Sequence, residues 1–414
     1  MQRATAEWLA GSGERPEWAA SFIQKVNKSY VCYGSMALLP TTAFDEVDRK
    51  DDSADTSKLQ LQHLYALIAK HLKITHIAVT RPIPLEDEGE GAENIIRAPT
   101  NFQPLFGDFG PPMAKSPPSP SDFEAAYWVM AKQNGVNQIW APRWTMFSRG
   151  NVSEKARLMT LPSVLSAVEE GETNGTGCTA VDLYAGIGYF TFSYLKAGVT
   201  KVLGWDLNPW STEGLMRGAK ANKWPAVKIS SDDRLADVLE RDVKLLVFNE
   251  DNCLAKGRVD EARRSLPPIR HVNCGLLPTS RGSWPIAVHA LDPDLGGWIH
   301  VHENFAVEEI PSKAEEVRKE IERLTSQCAG SDLAEGSVKL DHINKLKSFA
   351  PGVMHSHPMN THAISCACGL SGFRSQSSQK ASQPTRIPPR AKIQWREKRI
   401  SEGGAPSIIS SIIS

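Results

Sequence analysis

The chain lacks an excess of either charge sign. Its 47 Lys and Arg residues face 47 Asp and Glu, so bulk electrostatics carry no polyanion signal and any nucleic-acid site must be a local patch. It also lacks an apolar run near the roughly 20 residues that cross a bilayer. The start, Met1-Gln-Arg-Ala-Thr-Ala-Glu7, has no apolar h-region of the kind a signal peptide needs. Cysteine is sparse and odd in number, seven in 414 residues, which excludes the paired framework of a small secreted domain. No internal repeat is present. These absences leave a soluble, cytoplasmic protein with room for two or three domains.

What the chain does have is concentrated in one run, Asp182-Leu-Tyr-Ala-Gly-Ile-Gly-Tyr-Phe190. Cys178 to Asp182 reads as a buried strand leaving a Gly/Asn/Thr loop, and Tyr189 to Ala197 continues as a helix. Gly186 and Gly188 would let backbone approach a ligand where a Cβ would collide. A second strand, Lys201 to Trp205, closes a βαβ unit and delivers Asp206 where an acid can accept hydrogen bonds from ribose hydroxyls. The third small residue of a dinucleotide fingerprint is missing, because Tyr189, Phe190 and Thr191 follow Gly188. A ligand with a ribose and a charged amino-acid tail but no phosphate suits this turn, and S-adenosylmethionine has that form.

The sheet can be followed further. Asn208-Pro209 starts a helix, Val243 to Phe248 reads as a third strand, and Asp251 and Asn252 lie just past its end, placed to read an adenine amino group. Asp232-Asp233 competes for that role, but it lies between elements and follows no clear strand. His271-Val-Asn273 is a fourth strand leading to Pro278, a floor for a planar substrate or a plain loop. Gly297 to Glu303 is a fifth strand, and Ser312 to Leu324 a charged amphipathic helix. Upstream, Asn151 is placed to cap a helix from Val152, with Glu154 bonding back, which would aim Ser148, Arg149 and Lys155 at a common space. Lys155 is a counter-charge for a carboxylate, and Arg149 for an RNA phosphate or the same carboxylate. Trp140, Arg143 and Trp144 with Arg149 form either core or a surface on which a splayed base can stack.

The expected fold is α/β: a Rossmann-like sheet of the S-adenosylmethionine-dependent methyltransferase type, with a smaller N-terminal α+β region. Residues 1–126 hold that region, including a helix through Leu59 to Leu72, a strand at Ile74 to Thr80, and Pro/Gly-rich loops over 82–121. Residues 127–170 connect and supply cofactor and tRNA contacts, and 171–354 are the catalytic domain. Residues 355–414 read as a disordered tail or an aberrant gene product, because an apolar strand expected after Val353 is missing. His355, His357, His362, Cys366 and Cys368 match no zinc spacing, and no metal is expected.

With Asp182 to Phe190, Met146-Phe-Ser-x-Gly-Asn-x-x-Glu-Lys155, Val272-Asn-x-Gly-Leu-x-Pro-x-Ser280 and Gly296 to Asn304 in hand, the chain resembles the wybutosine-synthesising aminocarboxypropyl transferases. These are relatives of the tRNA guanine-N1 methyltransferases. The resemblance runs from about Trp128 to Pro351. It implies cofactor contacts at Ser148, Lys155, Asp206, Asp251 and Asn252, in addition to Asp182, Gly186 and Gly188 from the turn itself. One departure is Asp206, where relatives usually carry Glu. The implied reaction moves the 3-amino-3-carboxypropyl group of S-adenosylmethionine to the tricyclic base 3′ of the anticodon in tRNA-Phe. Asn273, Pro278 and Arg149 would position the substrate, and no general base is evident. Other enzymes of wybutosine synthesis are possible partners. Guanine-N1 methylation and a non-catalytic tRNA-binding role are the alternatives; Asn273-Cys-Gly-Leu-Leu-Pro278 departs from the Asn-Leu-Pro typical of the methyltransferases.

Overall fold

The computed structural model describes residues 1–11, 17–45, 47, 54–81, 83–84, 93–306, 309–330, 337–348 and 359–368. The N-terminal region is a four-stranded sheet in the order β1 (Val31–Tyr33), β2 (Met36–Pro40), β3 (His76–Thr80), β4 (Gln103–Phe106). The helices Gln2–Gly11, Ala19–Lys28 and Ala54–Leu72 accompany it. Trp8, Phe22, Leu39, Leu64, Ile68 and Ile77 fill its core, each no more than 1% exposed. A hairpin follows, β5 (Val129–Gln133) and β6 (Val136–Trp140), turning at Asn134-Gly135, both with positive φ.

The main sheet takes its strands from the rest of the chain: β7 (Thr179–Asp182), β8 (Lys201–Trp205), β9 (Ala226–Ile229), β10 (Leu245–Phe248), β11 (Ile269–Cys274), β12 (Gly297–Ala306), β13 (Val338–Ser348) and β14 (Met359–Cys368). Their spatial order is β13-β14-β12-β11-β7-β8-β10-β9. The six from β9 to β12 run parallel, and β14 is antiparallel to both its neighbours. Strands β7, β10 and β11 are buried at every position, as a parallel strand covered on both faces must be; β10 is wholly apolar, whereas β7 buries Thr179 and Asp182 and β11 buries Arg270, His271 and Asn273. Chain order reverses between β7 and β11, so their adjacent carboxyl ends form a crevice at a topological switch point.

Two sequence expectations are overturned. Asp232-Asp233 does follow a strand, β9, but β9 lies at the sheet edge, whereas β10 pairs directly with β8 and brings Asp251 and Asn252 beside the glycine turn. More consequentially, the closing strand is present. Met359–Cys368 pairs with β12 in continuous register from Ala306↔Met359 to Gly297↔Cys368, and with β13 on its other side. Thr361 to Cys368 carries no Asp, Glu, Lys, Arg or Pro, so nothing in it opposes a two-sided ladder; its histidine and cysteines had disguised a strand. The rest of the expected tail, 355–358 with His355 and His357 and 369–414, lies outside the described residues. No described helix is long and apolar enough to cross a membrane.

Candidate active site

Asp182 ends β7 with no exposed surface. One carboxylate oxygen accepts from the Thr191 backbone N–H at 3.1 Å and its hydroxyl at 2.8 Å; the other accepts from Asn273 Nδ2 at 2.9 Å. Burial pushes its pKa up, against those bonds. Both oxygens accept hydrogen bonds from the protein, so Asp182 braces β7, β11 and the helix Thr191–Ala197. The glycines of the turn are likewise constrained from within. Gly186 and Gly188 have φ of +54° and +95°. A Cβ on Gly186 would stand 2.8 Å from the Tyr189 ring, and one on Gly188 2.6 Å from Phe192 and 2.8 Å from Leu215. Backbone conformation and internal packing require them, ahead of any approach by a cofactor.

Asp206, just past β8, accepts from the Gly186 N–H at 2.8 Å through one oxygen and from the Asn208 N–H at 2.9 Å through the other. The turn thus holds the carboxyl in a fixed orientation. Burial raises its pKa to about 6, although the residue keeps some solvent access. Asn208 was visible in the sequence only as a helix start. Its side chain accepts from the Trp210 N–H, as an N-cap does, and donates to the carbonyls of Trp144 at 3.1 Å and Ile96 at 3.3 Å. Past β10, Asp251 is exposed and caps a short turn by accepting from Cys253 N–H, while Asn252 Nδ2 donates to the Leu183 carbonyl at 2.9 Å. Asn249, which sequence reasoning missed, donates to the carbonyls of Asp206 and Leu207 at 3.0 Å and locks β8 to β10 at their tips.

The opposite wall comes from residues 146–155. Tyr189 of the glycine turn donates its hydroxyl to the Met146 carbonyl at 2.6 Å and accepts from the Ser148 N–H at 3.1 Å. The helix Val152–Leu158 begins where expected, but Asn151 makes no side-chain cap bond, and a 3-10 turn precedes it. Glu154, expected to reach back to that cap, is 1% exposed and instead pairs with Arg157 at 2.6 Å and bonds Asn344. Lys155 is 4% exposed; Gln133 and Gln138 of the hairpin receive its ammonium at 2.6 and 2.9 Å. The Phe147 and Tyr189 ring centroids stand 5.1 and 5.5 Å from it. Among the described residues no carboxylate pairs with it, and burial lowers its pKa to about 8. Ser148 and Lys155 therefore meet at the glycine turn; the Arg149 side chain lies outside the described residues. The two glutamines carried no signal in the sequence beyond flanking Asn134-Gly135.

At the tip of β11, Asn273 is buried, and its Oδ1 has no hydrogen-bond partner among the described residues. The loop beyond it is firmly held: Glu303 accepts from Ser280 N–H and the Thr279 hydroxyl, the Pro278 carbonyl accepts from Asn304 N–H, and Arg97 Nη2 donates to the Leu277 carbonyl at 2.6 Å. The tryptophans resolve toward packing. Trp140 is 2% exposed and stacked on Phe147 at 4.5 Å, and Trp144 stacks on Trp210 at 4.8 Å. Arg143 lies over the Phe102 ring.

A fixed carboxyl just past β8, a turn without the third small residue of a dinucleotide fingerprint and a buried ammonium with no carboxylate partner among the described residues are compatible with a nucleoside bearing an amino-acid tail. No family model matches the chain. It is 35% identical over 331 residues to tRNA wybutosine-synthesizing protein 2 of Schizosaccharomyces pombe, covering 80% of this chain and 71% of that one. The protein of the same name from Saccharomyces cerevisiae is 33% identical over 303 residues, covering 68% and 58%. Among solved structures, P. horikoshii TYW2 in complex with MeSAdo superposes with a TM-score of 0.54 at 16% identity, over 90% of this chain and all of that one, a likeness of fold. The chain belongs to the tRNA wybutosine-synthesizing protein 2 family.

Proposed function

We propose that the protein transfers the 3-amino-3-carboxypropyl group of S-adenosylmethionine to the tricyclic wyosine-type base 3′ of the anticodon in tRNA-Phe, releasing methylthioadenosine. The observation that carries this reading is Lys155. A buried ammonium held by two neutral amides and two ring faces, with no carboxylate among the described residues, is prepared for an incoming one. The methionine carboxylate supplies that charge. Asp206 takes the ribose hydroxyls, and Asp251 with Asn252 borders the adenine.

The sulfonium activates three carbons, and whichever lies in line with the nucleophile decides the product. In the proposed step the acceptor ring atom bonds to the γ-carbon, the carbon–sulfur bond breaks with its electron pair staying on sulfur, and the ring atom gives up its proton. Lys155 and Ser148 fix the tail so that the γ-carbon, and not the methyl, meets the base. Asn273 Oδ1, buried and without a hydrogen-bond partner among the described residues, and the Leu277-Pro278 loop border the acceptor. Residues 1–126 and 127–170 serve RNA and tail positioning, and the catalytic domain runs from 171 through β14. The reading takes the cytoplasm as location and other wybutosine-pathway enzymes as partners. Incubation of the protein with cofactor and tRNA-Phe bearing the tricyclic precursor, followed by nucleoside mass spectrometry, should show gain of the aminocarboxypropyl fragment and release of methylthioadenosine. Gain of a single methyl, or no mass change on RNA that binds, would refute it.

A further inference from the structure

The stretch 82–121, read from sequence as variable loop, contains a fixed turn reaching into the catalytic crevice. Asn94 is 2% exposed. Its side chain accepts from the Ala98 N–H at 3.0 Å and donates to the carbonyls of Ala98 at 2.8 Å and Pro84 at 3.1 Å, closing residues 94–98 into a loop. Within it Arg97 takes φ of +54°, a conformation uncommon for a side chain with a Cβ, and one that persists only where surroundings over-determine it.

Two bonds tie this turn to the catalytic sheet. The Ile96 carbonyl accepts from Asn208, two residues after Asp206, and Arg97 Nη2 donates to the Leu277 carbonyl beside Pro278. The bond to Leu277 is the guanidinium's only hydrogen bond among the described residues, and no carboxylate there pairs with it. A guanidinium presents five donors in a planar fork suited to phosphate. Ile95 and Ile96 are 64% and 46% exposed on the same turn, and Leu207 beside Asn208 is 40% exposed. A cation with no carboxylate partner among the described residues and an apolar rim thus stand together at the mouth of the crevice.

We infer that Arg97 is a positioning and acceptor-specificity residue: its free donors bind an RNA backbone phosphate next to the reacting base, and its bond to Leu277 carries that contact into the loop bordering the base. The assignment rests on the proposed reading only in taking RNA as the acceptor. Among the described residues Arg97 has no hydrogen bond or ion pair with Ser148, Lys155, Asp206, Asp251 or Asn252, so cofactor affinity is expected to be independent of it.

The test compares Arg97→Ala, Arg97→Gln and Arg97→Lys in the full chain. Calorimetry with S-adenosylmethionine and thermal unfolding should match the unsubstituted protein for all three. The KM for tRNA should rise about tenfold in Arg97→Ala and Arg97→Gln, and the slope of log affinity against log salt should fall by about 0.7–0.9, the loss of one phosphate contact. Arg97→Lys should restore the slope while recovering kcat only in part, since an ammonium lacks the fork that engages phosphate and the Leu277 carbonyl together. An unchanged KM and salt slope in Arg97→Ala overturns the inference. So does a loss of cofactor affinity and melting temperature in proportion to activity, which marks a purely structural arginine. The RNA-binding readouts stand whichever group is transferred, so a single-methyl product would remove the proposed reaction without deciding the role of Arg97.

Discussion

Two residues of opposite charge set how this protein should respond to pH. Burial raises Asp206 to about 6 and lowers Lys155 to about 8. In the proposed site, protonation of Asp206 below about 6 would remove an acceptor for a ribose hydroxyl. Deprotonation of Lys155 above about 8 would remove the charge proposed to draw the tail carboxylate. Affinity of the free protein for S-adenosylmethionine is therefore expected to be bell-shaped, highest between these values, when measured by calorimetry from pH 5 to 9. Replacing Lys155 with Met should weaken binding by roughly 10–100-fold, the worth of a hydrogen bond to a charged group, and abolish the alkaline limb. An alkaline limb that survives in Lys155→Met would show that another group titrates there. Asp182 is a contrast at the same scale. It lies in the most legible motif of the chain, yet its oxygens serve Thr191 and Asn273, because a carboxyl at the end of a fully covered strand must find its donors inside the protein.

Among the elements, those whose burial leaves a mark in composition were readable. Strands β8 and β10 are largely apolar runs, β7, β11 and β12 are β-branched stretches punctuated by polar residues and followed by turn signals, and the helix Pro209–Ala221 announces itself through Asn208-Pro209. Strands β1 and β9 were not readable: they have three and four residues, and neither alternates cleanly between buried and exposed. The capping box at Asn151 failed because Arg157, one turn on, offers Glu154 a charged fork in place of a backbone N–H. Strand β14 escaped detection because its residues are small and polar, while what defines it is pairing on both sides. That pairing predicts the effect of Ile364→Pro, whose residue faces Val301 on one side and Ile343 on the other. Proline removes a ladder donor from an interior strand, so this variant should unfold at clearly lower urea concentration and lose near-ultraviolet dichroism, whereas Ile364→Val should behave as the parent. Parental stability in Ile364→Pro would mean that β14 does not sit inside the sheet.

For the molecule as a whole, Asn208 is where three stretches distant in sequence meet: the 94–98 turn, the 141–148 segment and the helix that follows Asp206. The carboxyl ends of the strands could be foreseen as the site, but not the share taken by the N-terminal region, since Asn-Pro reads only as a helix start. Asn208→Ala removes a cap and leaves two carbonyls without their donor, for an expected loss of about 2–4 kcal/mol. Asn208→Asp keeps the capping oxygen but not the donor. It should retain the helix and cofactor binding while kcat/KM for tRNA falls, which steady-state kinetics beside a melting curve will separate. Equal kinetics in Asn208→Asp and the parent would sever the N-terminal turn from acceptor handling.

The position of β14 also bears on how the protein is made. Its ten residues are the last described stretch of the chain, yet they lie between two strands translated before them, and β13 has no other strand partner among the described residues. While the chain is still emerging from the ribosome, β12 presents a bare ten-residue edge and β13 waits unpaired. Synthesis must pass Cys368 before the sheet can close, so the interval between translating β12 and β14 is when the nascent protein most needs a chaperone.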